Sequence, residues 1–218
     1  MSKDLIVNGA YIYSHDNRKQ LFEFKKLLVQ SKVFDSAIIS LHTVQRAGYR
    51  RLTVNTKTKK YYYALITVKT NNISVDHMVD INAQAEKLFK EDSNYGLKDR
   101  GGLEQILALS DQYTFGREYH PTIIDKATYL WYTIATKQLF HNGNKRTAML
   151  TGLQFLAINF ISLNIHTSKE LYDITVKIAE KRMSESELKQ FILNNSSLHL
   201  ENMKKFNEIY EIFEWIDL

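Results

Sequence analysis

QLFHNGNKRTA, residues 138–148, sets an Asn-Gly-Asn turn directly before Lys145 and Arg146 and then runs into the apolar stretch MLTGLQFLAINF. This pattern predicts a helix from about residue 144 to 159. A helix start exposes unpaired N–H groups and the positive end of the helix dipole, so a cation in the first turn costs about 0.3–1 kcal/mol. The cost becomes a gain when an anion occupies the same place, because amides, dipole and cations then converge on it. Gly143 carries no side chain and lets backbone N–H groups approach a phosphate closely. The plainer alternative is a helix–helix turn with Asn144 as N-cap and both cations solvated.

Upstream, a helix is predicted over residues 123–140, with Ile124, Ala127, Trp131, Ile134 and Ala135 on its apolar face. Continued to position 138, that face carries Gln138, whose inward amide needs hydrogen-bond partners. It is read either as a satisfied core glutamine or as a side chain looking into the space above the turn. Further out, helices are predicted over SVDHMVDINAQAEKLFKE with Ser74 as cap, over LEQILALS, and over SKELYDITVKIAEKR. Val75, Met78, Val79, Ile81 and Leu88 carry the apolar repeat of the first of these. SESELKQFILNN opens with a Ser184/Glu187 capping box, and ENMKKFNEIYEIFEWI is a last amphipathic helix.

Before residue 70 the pattern is different. DLIVNGAYIY and DSAIISLHTV read as strands, and KQLFEFKKLLVQ as a helix with Leu21, Phe24, Leu27 and Leu28 on one face. RRLTVNTKTKKYYYALITVK reads as a hairpin turning at Asn55–Lys59. Residues 1–70 hold 13 Lys or Arg against 4 Asp or Glu, whereas the remainder holds 16 against 20. That asymmetry separates the regions. The expected organisation is a basic α+β module over 1–70, a helical domain over 71–196 and a C-terminal helix over 197–218. In the module Arg46, Arg50, Arg51, Lys57, Lys59 and Lys60 mix with Tyr49 and Tyr61 to Tyr63, a footprint suited to nucleic acid. A Lys-rich hairpin edge that resists aggregation would look the same.

The chain has 218 residues, 44% of them hydrophobic, and no cysteine, which excludes disulfides and thiolate chemistry. It shows no leader pattern, and no run approaches the roughly 18 apolar residues of a membrane span. The expectation is a cytoplasmic protein with no membrane partner.

Gln138-Leu-Phe140-His-Asn142-Gly143-Asn144-Lys145-Arg146 resembles the signature of the Fic/Doc proteins, in its death-on-curing (Doc) form His-x-Phe-x-Asp/Asn-Gly/Ala-Asn-Lys-Arg. LKDRGGLEQIL, DKATYLWYTIATKQLF, KRTAMLTGLQFLAINF and IAEKRMSESELKQFI are similar to other parts of the domain, so the resemblance covers roughly residues 70–195. It implies a mainly α, helical Fic/Doc (Fido) fold. The implied activity is transfer of a phosphoryl or AMP group from ATP or another nucleotide onto a target-protein hydroxyl, that is, phosphorylation or AMPylation. Lys145, where the Fic branch has Gly, places the chain nearer Doc, a toxin that acts on a translation factor and is neutralised by an antitoxin. By the same resemblance Gly143, Asn144, Lys145 and Arg146 hold donor phosphates, Asn142 helps position Mg²⁺, and Phe140 packs the motif into the core. In the loop DQYTFGREYHPT, Tyr113, Phe115 and Arg117 stand where the family docks its target as an added strand. A loop packed on its own aromatics is the alternative there.

The sequence departs from the family at Gln138. Histidine is the expected general base, and a glutamine amide does not titrate near neutral pH, so little or no transfer is expected of the chain as it stands. Three accounts follow: a pseudoenzyme that binds a nucleotide, phosphate or partner without transfer, a residue altered on purpose, or substitution by His141. SLHLEN, residues 197–202, resembles the inhibitory helix of some Fic proteins, in which a Glu pairs with a second motif Arg. Here that second position is Met149, which leaves Arg146 as the evident partner for Glu201. The preferred reading of the segment is a helix start capped by Ser197 or Asn195.

Overall fold

The structure, a computed structural model, describes residues 10–13, 18–89, 95–165 and 167–209. The chain divides into two units: residues 1–70 with 197–218, and residues 71–196. The C-terminal segment therefore groups with the N-terminal module rather than standing apart.

In the first unit β1 (Ala10–Tyr13), α1 (Arg18–Gln30), β2 (Ile38–Gln45), β3 (Arg50–Thr56) and β4 (Lys60–Val68) follow one another. Their sheet has the order β1-β4-β3-β2, with β1 parallel to β4 and the other pairs antiparallel. The β3–β4 hairpin is closed by Thr56, whose amide donates to the Lys59 carbonyl at 2.9 Å while its hydroxyl accepts from Lys59 N at 3.0 Å. Leu52 stands opposite Tyr63 and Val54 opposite Tyr61, and all four are buried, as the period of two demands. Phe34 meets the two tyrosine rings edge-on, at 5.0 and 6.5 Å. On α1, Phe24, Leu27 and Leu28 are buried, but Leu21 is only half-buried, and Gln20 and Glu23 are buried with them. Of DLIVNGAYIY only Ala10–Tyr13 lies among the described residues.

The second unit begins with α2 (Val75–Phe89), which Ser74 caps by accepting from His77 N at 3.1 Å. The side chain of Leu88 lies outside the described residues. Asp99 caps α3 (Arg100–Ser110), which starts earlier than the apolar pattern suggested because Asp99 accepts from Gly102 N at 2.8 Å. A small hairpin, β5 (Tyr113–Thr114) with β6 (Arg117–Glu118), leads to α4 (Ile123–Thr136), α5 (Asn144–Ile158), β7 (Ile161–Leu163), α6 (Ser168–Ala179) and α7 (Glu185–Asn194). Helices α4 and α5 form the centre: Gly152 lets α5 approach Trp131 so closely that a Cβ there would stand 2.8 Å from the indole. The Trp131 N–H, fully buried, donates to Thr175 Oγ1 on α6 at 2.9 Å. The Ser184/Glu187 capping box of α7 is formed in both directions.

The chain then continues through β8 (Ser196–Leu198) into α8 (Leu200–Ile209), whose later predicted turns, 210–218, lie outside the described residues. Ser197 sits in a strand and Asn195 ends α7, so neither caps α8; His199 does, its ring Nδ1 accepting from Asn202 N at 3.3 Å. Leu198 is tied to Ser31 both ways, its amide donating to the Ser31 hydroxyl at 3.0 Å and its carbonyl accepting from it at 3.2 Å. Among the described residues no helix is long and apolar enough to cross a membrane.

Candidate active site

Helix α4 stops at Thr136, four residues before the end predicted for it, and Lys137 is already extended. The reason lies in the backbone. Leu139 O accepts from both Lys98 N and Asp99 N, His141 N donates to Gly96 O, and Phe140 bridges to Leu97. These bonds give residues 139–141 backbone partners in 96–99 that hold them out of a helix. Continuing the helical face is therefore wrong for position 138: Leu139 and Phe140 point into the core, and Gln138 is exposed.

Asn144 is the first helical residue of α5 rather than its cap; the cap position belongs to Gly143, at φ 77°, with no side-chain cap bond. The Asn144 side chain turns back on the loop instead. Its Oδ1 accepts from Phe140 N at 2.9 Å, and its Nδ2 donates to Phe140 O at 2.8 Å and to Gln138 Oε1 at 3.2 Å. The amide thus shapes the motif, and Gln138 has a partner inside it. Asn82, fully buried on α2, holds the turn from the other side, donating to Asn142 O and Thr147 Oγ1, each at 2.9 Å, and accepting from Gly96 N at 3.0 Å.

The two cations differ. Lys145 is exposed, whereas Arg146 is buried and pairs with Glu86 of α2, Nη2 to Oε1, at 3.0 Å. Glu86 has no exposed side-chain surface, and among the described residues neither of its oxygens accepts a hydrogen bond, so the contact is an ion pair without hydrogen-bond geometry. The same carboxylate explains Gly143. A Cβ there would overlap Glu86 Oε1 and stand 3.1 Å from Asn82 Nδ2. The missing side chain makes room for Glu86, a reason the sequence did not suggest.

Together these elements enclose a hollow of about 340 Å³ with mostly polar walls, lined by Gln138, His141 to Arg146, and, from α6 and just beyond, Tyr172 and Glu180. Gln138, Asn142, Gly143, Asn144, Lys145 and Arg146 are thus brought to one place. Exposed His141 shares the wall. Glu180 is paired with Arg182. For Mg²⁺ the fit is poor. Among the described residues no three His, Cys, Asp or Glu side chains gather to hold a metal, and Asn142 offers one oxygen already accepting from Gly143 N at 2.8 Å. Mg²⁺ sites ordinarily use one or two carboxylates.

The loop at 111–122 holds a hairpin whose turn residues, Phe115 and Gly116, have φ of 52° and 77°. Positive φ is uncommon for a bulky residue, and Phe115 gains no burial from it, being fully exposed, as Tyr113 largely is. The alternative of a loop packed on its own aromatics does not hold. Arg117 is exposed beside them. The base is anchored: Asp111 takes ion pairing from Lys126 and a 2.6 Å hydrogen bond from Asn72, and His120 stacks on Tyr129 at 4.2 Å. Burial lowers the His120 pKa, with Lys126 adding to it while Asp125 and Asp111 oppose it.

Glu201 is exposed on α8, where it lines a hollow of about 300 Å³ with Asp35 and Lys59 of its own unit. In that unit Tyr61 and Tyr63 are core residues, so stacking on bases is left to Tyr62, which lies 5.7 Å under the Arg51 guanidinium, and to half-buried Tyr49. Lys59 pairs with Asp35.

Asn82, Glu86 and Thr147 were not singled out in the sequence. Their signal was there: positions 78, 82 and 86 recur every four residues, so two polar side chains share the buried stripe of Met78. No curated protein matches the chain. Residues 72–156, from α2 to the last turn of α5 and including every motif residue, match the model of the Fic/DOC family, and the mainly α architecture agrees with a Fic fold.

Proposed function

We propose that the helical unit is a Fic-type, Doc-like module for transferring a phosphoryl or AMP group from ATP or another nucleotide to a hydroxyl of a target protein, crippled at Gln138. The observation that carries this reading is the single hollow that gathers position 138, the 142–144 turn and Lys145 at the start of α5. Donor phosphates lie against the turn, with Lys145 and the α5 dipole attracting their charge. Transfer of this kind is mostly positioning and charge stabilisation. The target segment adds to the β5–β6 hairpin beside Tyr113, Phe115 and Arg117. A toxin-like role in the cytoplasm follows, with an antitoxin covering the hollow. Mg²⁺, if used, arrives with the nucleotide, and no step is assigned to it.

Gln138 cannot take the proton from the attacking hydroxyl, and a missing base lowers the rate by about 10²–10⁴. The test compares the protein with Gln138→His for label transfer from γ- and α-labelled ATP onto lysate proteins. Transfer restored by histidine supports the reading, and the label's position separates phosphorylation from AMPylation. Calorimetry that finds no nucleotide binding, together with no transfer by either form, refutes it.

A second reading, a non-catalytic binding protein, is favoured by one contact: Gln138 Oε1 accepts from Asn144, so the glutamine is a fitted part of the loop. Nucleotide binding with no transfer by Gln138→His supports it. The first unit, with Arg46, Lys57 and Lys60 exposed, serves that reading as a nucleic-acid or protein contact. Nucleic-acid affinity that is insensitive to salt argues against phosphate contacts there.

A further inference from the structure

Two cations at the start of α5 call for an anion, and for one of them the anion is already in the molecule. Glu86 reaches from α2 to the back of the Asn142–Asn144 turn, with no exposed side-chain surface, and pairs with Arg146 at 3.0 Å. It comes so close to Gly143 that only glycine fits. Arg146 lines the hollow, and Glu86 stays behind it, outside the lining. Among the described residues neither carboxylate oxygen accepts a hydrogen bond, so the protein leaves the negative charge unusually undiluted for a buried group. From the geometry we infer that Glu86 is the residue that sets the charge of the anion seat and, with it, which phosphate ligands the seat accepts.

The argument is electrostatic and rests on the phosphate-seat reading above. A fixed negative charge within a few ångströms of a bound phosphate repels it, and the repulsion is large where water is excluded. Glu86 cancels Arg146, and Glu180 on the rim is matched by Arg182. That leaves Lys145 and the half-charge of the α5 dipole to hold the ligand. Such a seat suits one phosphoryl group. It is under-charged for the closely spaced charges of a whole triphosphate. Glu86 is accordingly a specificity-determining residue that touches Arg146 and never the ligand.

The experiment is calorimetric titration of the whole protein and its variants with inorganic phosphate, AMP and ATP at low ionic strength. Glu86→Gln keeps the shape and removes the charge. It is expected to tighten all three ligands, by about ten-fold for phosphate and by more for ATP, since the gain grows with ligand charge. Unchanged or weaker binding in a Glu86→Gln protein that melts as a folded protein overturns the inference. Arg146→Met leaves Glu86 bare behind the seat and is expected to lose about ten-fold or more. Glu86→Gln/Arg146→Met exchanges a neutral pair for a neutral pair, a replacement that buried ion pairs generally tolerate, so it stays testable if Glu86→Gln folds poorly. Its affinity is expected within about three-fold of the parent. A double variant as weak as Arg146→Met overturns the inference, because Arg146 would then be a direct ligand. Phosphate binding that follows these expectations while Gln138→His transfers no label sinks the transferase reading alone.

Discussion

Adding one methyl group at Gly143 tests the geometry of the site most directly. Two terms act. The residue has φ 77°, and a left-handed conformation costs an alanine about 1–2 kcal/mol. The new Cβ would also overlap Glu86 Oε1 and stand 2.9 Å from its Cδ, so the carboxylate must leave. Glu86 is buried against Arg146, and separating a buried pair costs about 3–5 kcal/mol. Gly143→Ala should therefore lose about 4–7 kcal/mol, a large part of the roughly 5–15 kcal/mol of a typical domain. Gly116→Ala is the control. Its φ is the same 77°, nothing lies within 4 Å of its would-be Cβ, and only the strain of about 1–2 kcal/mol applies. Urea unfolding followed by circular dichroism reads both. In a Glu86→Ala background the cost of Gly143→Ala should fall to the strain alone, a coupling of about 3–5 kcal/mol. Equal losses for Gly143→Ala and Gly116→Ala, within about 0.5 kcal/mol, would refute the claim that Glu86 fills the space beside the turn.

Three other substitutions probe the same unit. Asn144→Ala strips both bonds from the Phe140 backbone and leaves its buried amide without the partner it has now, so unfolding should lose about 2–4 kcal/mol, measured by urea midpoint. Thr175→Val removes the acceptor of the buried Trp131 N–H and should cost about 1–3 kcal/mol by the same assay, with a shift in indole fluorescence. Phe115→Gly relieves a positive φ at a fully exposed residue and should stabilise the fold slightly while weakening capture of a target segment, read by melting temperature and pull-down. The last prediction concerns pH. Because the folded His120 pKa lies below 6.5, chiefly through burial, the folded state binds fewer protons, and its contribution is complete above 6.5 and lost as pH falls through the folded value. His120→Phe keeps the stack on Tyr129 and should flatten the fall in melting temperature between about pH 7.5 and 5; an unchanged slope assigns that fall to other groups.

What the sequence made legible was whatever repeats. Buried stripes at helical spacing marked α2, α4, α6 and α7, and Ser74 and the Ser184/Glu187 box marked two of their starts, because caps and periodicity are local facts. The end of α4 was illegible because its cause is not local. Nothing in ATKQLF says that Leu139 and His141 will find their partners in residues 96–99, some forty positions earlier. The fate of Gln138 followed from that one break: two residues past a helix end, face arithmetic no longer applies, and an amide expected to point inward became exposed.

The cations show the same limit at the site. Charge at a helix start is a sound signal that an anion is near, and the physics holds whether the anion is a ligand or a side chain. The sequence offered a ligand, or Glu201, but not Glu86, because Glu86 lies 60 positions from Arg146 and reads, one residue at a time, as an ordinary helical glutamate. What distinguishes it is its place on the stripe of Met78 and Asn82, where a charge is affordable only opposite another. The partner for such a charge has to come from elsewhere in the fold, and the misplaced arginine of the motif is that partner. Two local anomalies, a buried glutamate on α2 and a cation at the wrong end of α5, are therefore one feature seen from its two ends.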